Sequence, residues 1–406
     1  MRNFRLFLLL NLLLLTGITA CKPARNNYTV IISLDGNRWD YPEYYNTTFF
    51  DSLATVGVSA RMEPSYPAST FPNHYTLATG LVPDHNGLVN NSFWNPDKQY
   101  MYSMGDPNCR YNPDYYLGEP IWITAQRQGL RTGNVYWVGS DIPIKNEYPT
   151  YYRKWDQDPH WSFEERVDEI VRLMSLPENE RPRLVMGYFD EPDHTGHEFG
   201  PISAETKEMV EYMDGLMHGL YLRLKALPYG DKINFIVLSD HGMEEISRDR
   251  FIGWHQVIPE GWTEKIIGHT PTSIFVKEGY VDSLYNRLSQ VEHISVWKHG
   301  EVPEELNYGT SNRLGDLIVA PDLGWQFAAH PSKNTGAHGY SPKELDMMVV
   351  FRAVGPDFKV AYEAPFTEGE QSAFHNVDIY PLLCELLGIR PVPTDGQLKR
   401  IHKILR

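Results

Sequence analysis

The chain has 406 residues, 42% of them hydrophobic, and a formal net charge of −15. The apolar content suffices for one large α/β domain or two to three smaller ones, while the acidity excludes general electrostatic attraction to double-stranded nucleic acid or to an anionic membrane surface. An anionic substrate would need positive charge from elsewhere, and a bound metal is the obvious source.

The first twenty residues read as a targeting segment. Arg2 and Arg5 precede LFLLLNLLLLTGITA (6–20), which is apolar but too short to span a bilayer comfortably. The run ends in ITAC (18–21), small residues directly before Cys21. This resembles a bacterial lipoprotein signal: residues 1–20 are removed and Cys21 carries the lipid that anchors the chain to a membrane. It implies export to the periplasm or cell envelope; an ordinary secretory signal or an uncleaved anchor is the alternative. Residues 22–27 then form a polar tether. Of the remaining cysteines, Cys109 and Cys384 are too few for a disulfide framework or a thiolate metal site.

Beyond the tether, short β-rich runs alternate with longer amphipathic stretches. In chain order the pattern predicts a strand over 28–35, helices over 48–56, 70–79 and 120–128, a strand over 133–138, a helix over 163–175, a strand over 183–190, a helix over 203–226 and a strand over 233–240. A strand over 272–276, a helix over 278–289, strands over 316–320 and 347–351 and a helix over 375–388 follow. The nearly continuous apolar strands suit a parallel sheet covered on both faces. The expected fold is therefore α/β, a doubly wound, mostly parallel central sheet with helices on both faces. From about 248 to 345 Gly, Trp and His become frequent, which marks a smaller inserted α+β subdomain within one domain of 28–396, followed by a short tail, 397–406.

Three of the apolar runs end in aspartate. VIISLD ends at Asp35, FIVLSD at Asp240 with His241 next, and VMGYFD runs into EPDHTGH, which carries Asp193 and His197. Ligands of open α/β sheets bind beyond the carboxyl ends of the strands, and carboxylates that follow directly on apolar runs are rarely buried unless paired or metal-bound. His338, between Gly336 and Gly339 in TGAHGY, adds another imidazole. Oxygen and nitrogen donors without thiolate suit zinc, and also manganese or iron. The stretch ASTFPNHY (68–75) reads as a helix start, with a hydroxyl residue before Pro72. On its own it leaves open whether a hydroxyl does chemistry.

SLDGNRWDY (33–41), TFPNHYTLATGLVPDHNGLVNN (70–91), YFDEPDHTGHEFGP (188–201), VLSDHGM (237–243) and GAHGY (336–340) form an ordered series. It resembles the nucleotide pyrophosphatase/phosphodiesterase family of the alkaline phosphatase superfamily. The resemblance implies two Zn²⁺ ions: Asp193, His197 and His338 on one, and Asp35, Asp240, His241 and Thr70 on the other. It makes Thr70 the nucleophile, Asn91 a donor to a non-bridging phosphoryl oxygen, and Phe71, Trp137 and Trp155 walls of a substrate pocket. Trp155 stands where relatives often carry tyrosine. The implied activity is hydrolysis of nucleotide diesters to nucleoside 5′-monophosphates through a phospho-threonine.

Monoesterases of the superfamily resemble one another in setting a cationic side chain against the phosphoryl group. The matching segment here, YWVGSDI (136–142), has no Lys or Arg, and the segment from Thr70 lacks the arginine of a sulfatase motif. Choline-type lipid or glycerophosphodiester substrates and phosphomonoesters stay open on the same metal core, as does a lipoprotein that only binds phosphate esters. Six further histidines (His74, His85, His160, His194, His218 and His255) have no assigned motif role.

Overall fold

The computed structural model describes residues 26–366 and 374–406. The leader, Cys21 and most of the tether lie outside the described residues. Among the described residues nine strands form the central sheet: β1 (Tyr28–Leu34), β2 (Val58–Glu63), β3 (Thr132–Val135), β4 (Tyr151–Tyr152), β5 (Leu184–Phe189), β6 (Ile233–Leu238), and, after an insertion, Val349–Val354, Tyr362–Glu363 and Phe374–His375. The run Val349–Val354–β6–β1–β5–β3–β4 crosses the sheet, and β2 lies outside Val349–Val354. Strands β6, β1, β5, β3 and β4 are parallel. Val349–Val354 runs against both of its neighbours, which makes the sheet mostly rather than wholly parallel.

The strands bury both faces because their side chains alternate. Val30, Ile32 and Leu34 of β1 join one apolar cluster, whose helices are α1 (Thr48–Val56), α4 (Phe163–Met174) and α6 (Ala204–Lys225). Ile31 points the other way, into a cluster with α2 (Thr70–Thr79), α3 (Ile121–Arg127) and α8 (Ile379–Leu387). The short α5 (Asp193–Phe199) follows β5, and α7 (Val281–Leu288) lies in the insertion. The insertion carries its own antiparallel sheet, in the order Thr263–Ile267, Thr272–Val276, Leu317–Pro321, Ile294–Lys298, over which α7 packs.

Several element ends differ from the sequence expectation. The strand expected over 133–138 stops at Val135, because Tyr136 takes a left-handed conformation (φ 63°) that ends the ladder. The closing helix begins at Ile379 rather than 375: Phe374–His375 pairs with β2, and a 3₁₀ turn over Asn376–Asp378 intervenes. Strand β2 was not expected; Arg61 and Glu63 interrupt its apolar pattern, yet three strands, Val349–Val354, Tyr362–Glu363 and Phe374–His375, pair with it.

Candidate active site

The three strands that end in aspartate are neighbours, in the order β6–β1–β5. Asp35 therefore emerges at the centre, with Asp240 and His241 on one side and Asp193 on the other. The turn after Asp35 is tight: Gly36 has φ 67°, and a Cβ there would lie 2.9 Å from Asp193 Cα. Glycine is what lets the start of α5 press against this turn. Asp193 and His197 share one face of α5, four residues apart. His338 follows the two-residue pairing of Gly336–Ala337 with Glu244–Glu245. A Cβ at Gly336 would meet the Gly196 carbonyl oxygen at 2.3 Å, so this strand can lie against α5 only as glycine.

The six side chains fall into two groups, Asp193–His197–His338 and Asp35–Asp240–His241, and in each group the candidate ligand atoms all lie within 4.8 Å of one another. The imidazoles are oriented by the backbone. Nδ1 of His197 lies 2.8 Å from the Gly336 carbonyl, Nδ1 of His241 2.9 Å from the Gly242 carbonyl, and Nδ1 of His338 2.9 Å from the Ala68 carbonyl. A carbonyl can only accept, so each Nδ1 carries a proton, and in the neutral ring, the form that ligates a metal, each Nε2 presents a lone pair. His241 Nε2 stands 3.2 Å from Asp35 Oδ1 and 3.1 Å from Asp240 Oδ2. His197 Nε2 and His338 Nε2 stand 3.5 and 3.7 Å from Asp193 Oδ1.

Asp35 Oδ1, Asp193 Oδ1 and Asp240 Oδ2 are buried and have no hydrogen-bond donor. Lone pairs thus face lone pairs, an arrangement that costs energy unless a cation lies between them. Burial, and then the neighbouring charges of Asp240 and Asp193, push the Asp35 carboxyl well above the usual carboxylate range. Burial, and then His241 and His197, hold the His338 imidazole well below its ordinary value. The donor set of carboxylate oxygen and neutral imidazole nitrogen fits a divalent metal such as zinc in each group.

Thr70 opens α2 and is 8% exposed. Its hydroxyl donates to His241 Nε2 at 3.1 Å, which sets Oγ1 against the second group. Asn91 Oδ1 accepts the Phe71 N–H at 3.0 Å. The amide is thereby fixed with its NH₂ end as the remaining donor, beside the start of α2. His74, one turn along α2, belongs to the surroundings of the two groups and was passed over by sequence reasoning. Its ring is fully buried, its Nε2 meets the Ser33 hydroxyl at 2.9 Å, and its Nδ1 lies 2.9 Å from the Thr70 carbonyl and 3.3 Å from Asp240 Oδ2. It braces the Thr70 segment and stands beside an aspartate. Arg38 was missed as well. Buried, it pairs with Asp40 and Asp346 and donates to the Met243 carbonyl at 2.8 Å, tying the loop after β1 to the loop after β6. The i+4 spacing of His74 from Thr70 was the available signal for one; Arg38 offered none.

Beside Thr70 opens an aromatic cleft of about 250 Å³, lined by Phe71, Tyr136, Trp155 and Tyr188, with Asp35 and Asp193 where it meets the two candidate metal groups. Phe71 and Trp155 are both partly exposed. Trp137 also lines the cleft, but it is 1% exposed and donates its indole N–H to the His74 carbonyl at 3.1 Å, so it forms floor more than wall. Behind the cleft Arg166, ion-paired with Asp190 at 2.6 Å, sets its guanidinium 4.9 Å from the Tyr136 ring and 5.6 Å from Trp155. Nothing in the amphipathic pattern of α4 distinguished Arg166 from its surface charges.

A family model described as type I phosphodiesterase/nucleotide pyrophosphatase matches residues 29–341. Human ectonucleotide pyrophosphatase/phosphodiesterase family member 1 is 32% identical over 396 residues, 93% of this chain but 42% of that protein. Mouse family member 7 is 31% identical over 409 residues, 96% of this chain and 90% of that protein. The chain thus spans less than half of the one relative and most of the other. Among solved structures, murine ectonucleotide pyrophosphatase/phosphodiesterase 5 superposes with a TM-score of 0.86 at 30% identity, covering 93% of this chain and 100% of that one. An inactive threonine-to-alanine form of that murine protein, in complex with AMP, gives the same TM-score over 94% of this chain. No described helix is long and apolar enough to cross a membrane.

Proposed function

The chain belongs to the type I phosphodiesterase/nucleotide pyrophosphatase family, and from that premise we propose that it hydrolyses phosphodiester or pyrophosphate bonds in nucleotides, releasing nucleoside 5′-monophosphates. Asp193, His197 and His338 hold one zinc ion; Asp35, Asp240, His241 and Thr70 hold the other. When bound, such a metal pair supplies the charge that activates a hydroxyl and neutralises phosphoryl oxygens.

The chain's own residues do the rest. Thr70 Oγ1 attacks phosphorus, an Oγ–P bond forms as the opposite P–O bond breaks in line, and water then cleaves the phospho-threonine. The free N–H groups at the start of α2 face the developing negative charge. The Asn91 NH₂ holds a non-bridging oxygen as an oxyanion donor. The nucleoside stacks between Phe71 and Trp155, and the segment 136–142 offers no cation for a dianionic monoester.

The observation that carries this reading is the set of three buried, donorless carboxylate oxygens facing imidazole lone pairs around the Thr70 hydroxyl. The test is turnover of bis(p-nitrophenyl) phosphate by the purified protein before chelation, after it, and after zinc is restored. Absence of turnover in the zinc-loaded protein, or turnover that survives chelation, would remove the proposal.

A second reading rests on Asp141, which lines the aromatic cleft. Aromatic faces with a carboxylate among them also suit a quaternary ammonium headgroup, so glycerophosphocholine belongs in the substrate panel. The lipid anchor on Cys21 and a periplasmic or envelope location rest on the leader sequence. Mass spectrometry of the membrane-bound mature protein, looking for a lipidated Cys21 as the first residue, tests both.

A further inference from the structure

A second cavity of about 320 Å³ meets the other flank of the same cluster: its lining takes His197, His338 and Asn91, where the aromatic cleft takes Asp35, Asp193 and Thr70. The two cavities therefore share the metal groups and the nucleophile segment between them. A nucleotide stacked in the aromatic cleft and attacked at phosphorus by Thr70 sends its leaving group out towards the Asp193–His197–His338 side, where this second cavity opens. Its outer wall is built by two loops of the insertion, with His269 and Thr270 on one and His330 and Asn334 on the other, facing Asn90 and Ser92.

The wall is uncharged. Beside the apolar Ile246, Ala328 and Ala337, its described lining contains amides, hydroxyls and imidazoles and carries no Lys, Arg, Asp or Glu. Such groups hydrogen-bond to sugar hydroxyls and base edges but do not neutralise a polyphosphate. A pyrophosphate leaving group would carry about three negative charges past the candidate metal group at His197 and His338, which serves the leaving oxygen of either substrate alike, to a far wall without a fixed cation, in a chain whose formal charge is already −15. The volume lies at the low end of small-molecule sites, roughly 300–1,000 Å³, enough for one nucleoside or sugar.

We infer that the second cavity is a leaving-group site for an uncharged polyol, and that the enzyme prefers diesters whose leaving group is a nucleoside or sugar hydroxyl over nucleoside triphosphates, whose leaving group is pyrophosphate. In the preferred reaction the Thr70 Oγ–P bond forms as its hydroxyl gives up a proton to solvent, the P–O3′ bond breaks, and the departing O3′ takes one proton back from solvent to leave as a neutral alcohol. This inference rests on the phosphodiesterase reading above and specifies its substrate class. It runs against intrinsic reactivity, since pyrophosphate is the better leaving group, so any preference for the dinucleoside must come from the protein.

The test compares kcat/KM for adenylyl-(3′→5′)-adenosine and for ATP, which share the transferred adenylyl group, in the wild type, His330→Lys and Asn334→Lys. Both positions are exposed, so a lysine there does not disturb the core. Because both substrates are measured on one preparation, their ratio is independent of the folded fraction. The wild type is expected to favour the dinucleoside, and each lysine is expected to shift the ratio towards ATP by threefold or more. A wild type that prefers ATP, or a shift below threefold in both variants, overturns the inference. Bis(p-nitrophenyl) phosphate separates the two levels. Its turnover alongside a preference for ATP leaves the phosphodiesterase reading standing and this inference refuted, whereas no turnover of any diester removes both.

Discussion

Replacing Asp35 by Asn should move stability in opposite directions with and without metal. Asp35 Oδ2 accepts the Tyr188 hydroxyl at 2.6 Å, and an asparagine oxygen can keep that bond. The other oxygen faces His241 Nε2 at 3.2 Å, where an NH₂ would donate to a lone pair that now faces another lone pair. The substitution also removes a negative charge held within 4.8 Å of the Asp240 ligand atom. At that spacing and an effective dielectric of about 20, two like charges repel by about 3.5 kcal/mol. Proton uptake by Asp35 relieves part of this in the chelated wild type, which leaves a gain of about 1–3 kcal/mol for the variant. At an unfolding entropy of roughly 0.8 kcal/mol per degree for a chain of this length, chelated Asp35→Asn should melt about 1–4 °C above chelated wild type. Zinc reverses the order. At 1,000-fold excess over Kd each site adds about 4.1 kcal/mol, roughly 5 °C, and the variant forfeits the increment of the second group. Thermal melts of both proteins in chelator and in zinc read all four numbers. A variant that melts below wild type in chelator, or that keeps the full zinc increment, would refute the idea that this cluster is built around a cation.

Thr70→Ala should lower turnover of bis(p-nitrophenyl) phosphate by at least about 10³-fold, as loss of a nucleophile does, while changing Tm by no more than a few degrees and leaving AMP binding measurable by calorimetry; Thr70→Ser should stay active. Retention of more than a few per cent by the alanine variant would show that Thr70 is not the nucleophile. Elemental analysis should find about two zinc ions per chain, both lost to chelator together with activity, and a single metal or magnesium alone would contradict the two-group arrangement. Trp155→Ala should cost a nucleotide diester roughly 5- to 150-fold in kcat/KM, the range for one stacked base at 1–3 kcal/mol, and cost the small aryl diester little. Equal losses on both substrates would assign Trp155 to the packing of Tyr136 and His160, its ring neighbours at 5.2 and 4.7 Å.

Much of the architecture could be read from local pattern. The helices over 48–56 and 70–79 have the expected bounds because Gly57 and Gly80 close them, Gly80 in the left-handed conformation that ends a helix. The carboxylates stood out because each follows an apolar strand, and a strand's end is a place in space as well as in sequence. What the sequence could not carry was adjacency. That β6, β1 and β5 are neighbours, that Val349–Val354 runs backwards, and that β2 lies beyond it depend on the global winding of the sheet. The same holds for the residues that hold the ligands. His74 looked like one more helix histidine, and only the fold sets it between Ser33, Thr70 and Asp240. Arg166 belongs by spacing to a surface helix, yet it is 1% exposed beneath the aromatic cleft.

The bond from His338 Nδ1 to the Ala68 carbonyl joins the two candidate metal groups mechanically. Ala68 lies two residues before Thr70, so a shift of that tripeptide tilts an imidazole of one group while it displaces the hydroxyl of the other. Occupancy at either position therefore restricts the motion available to its neighbour, and by thermodynamic reciprocity the favour is returned in equal measure. Zinc uptake should accordingly be cooperative, with singly loaded molecules scarce, and a partly starved population would divide into fully competent and wholly inert molecules.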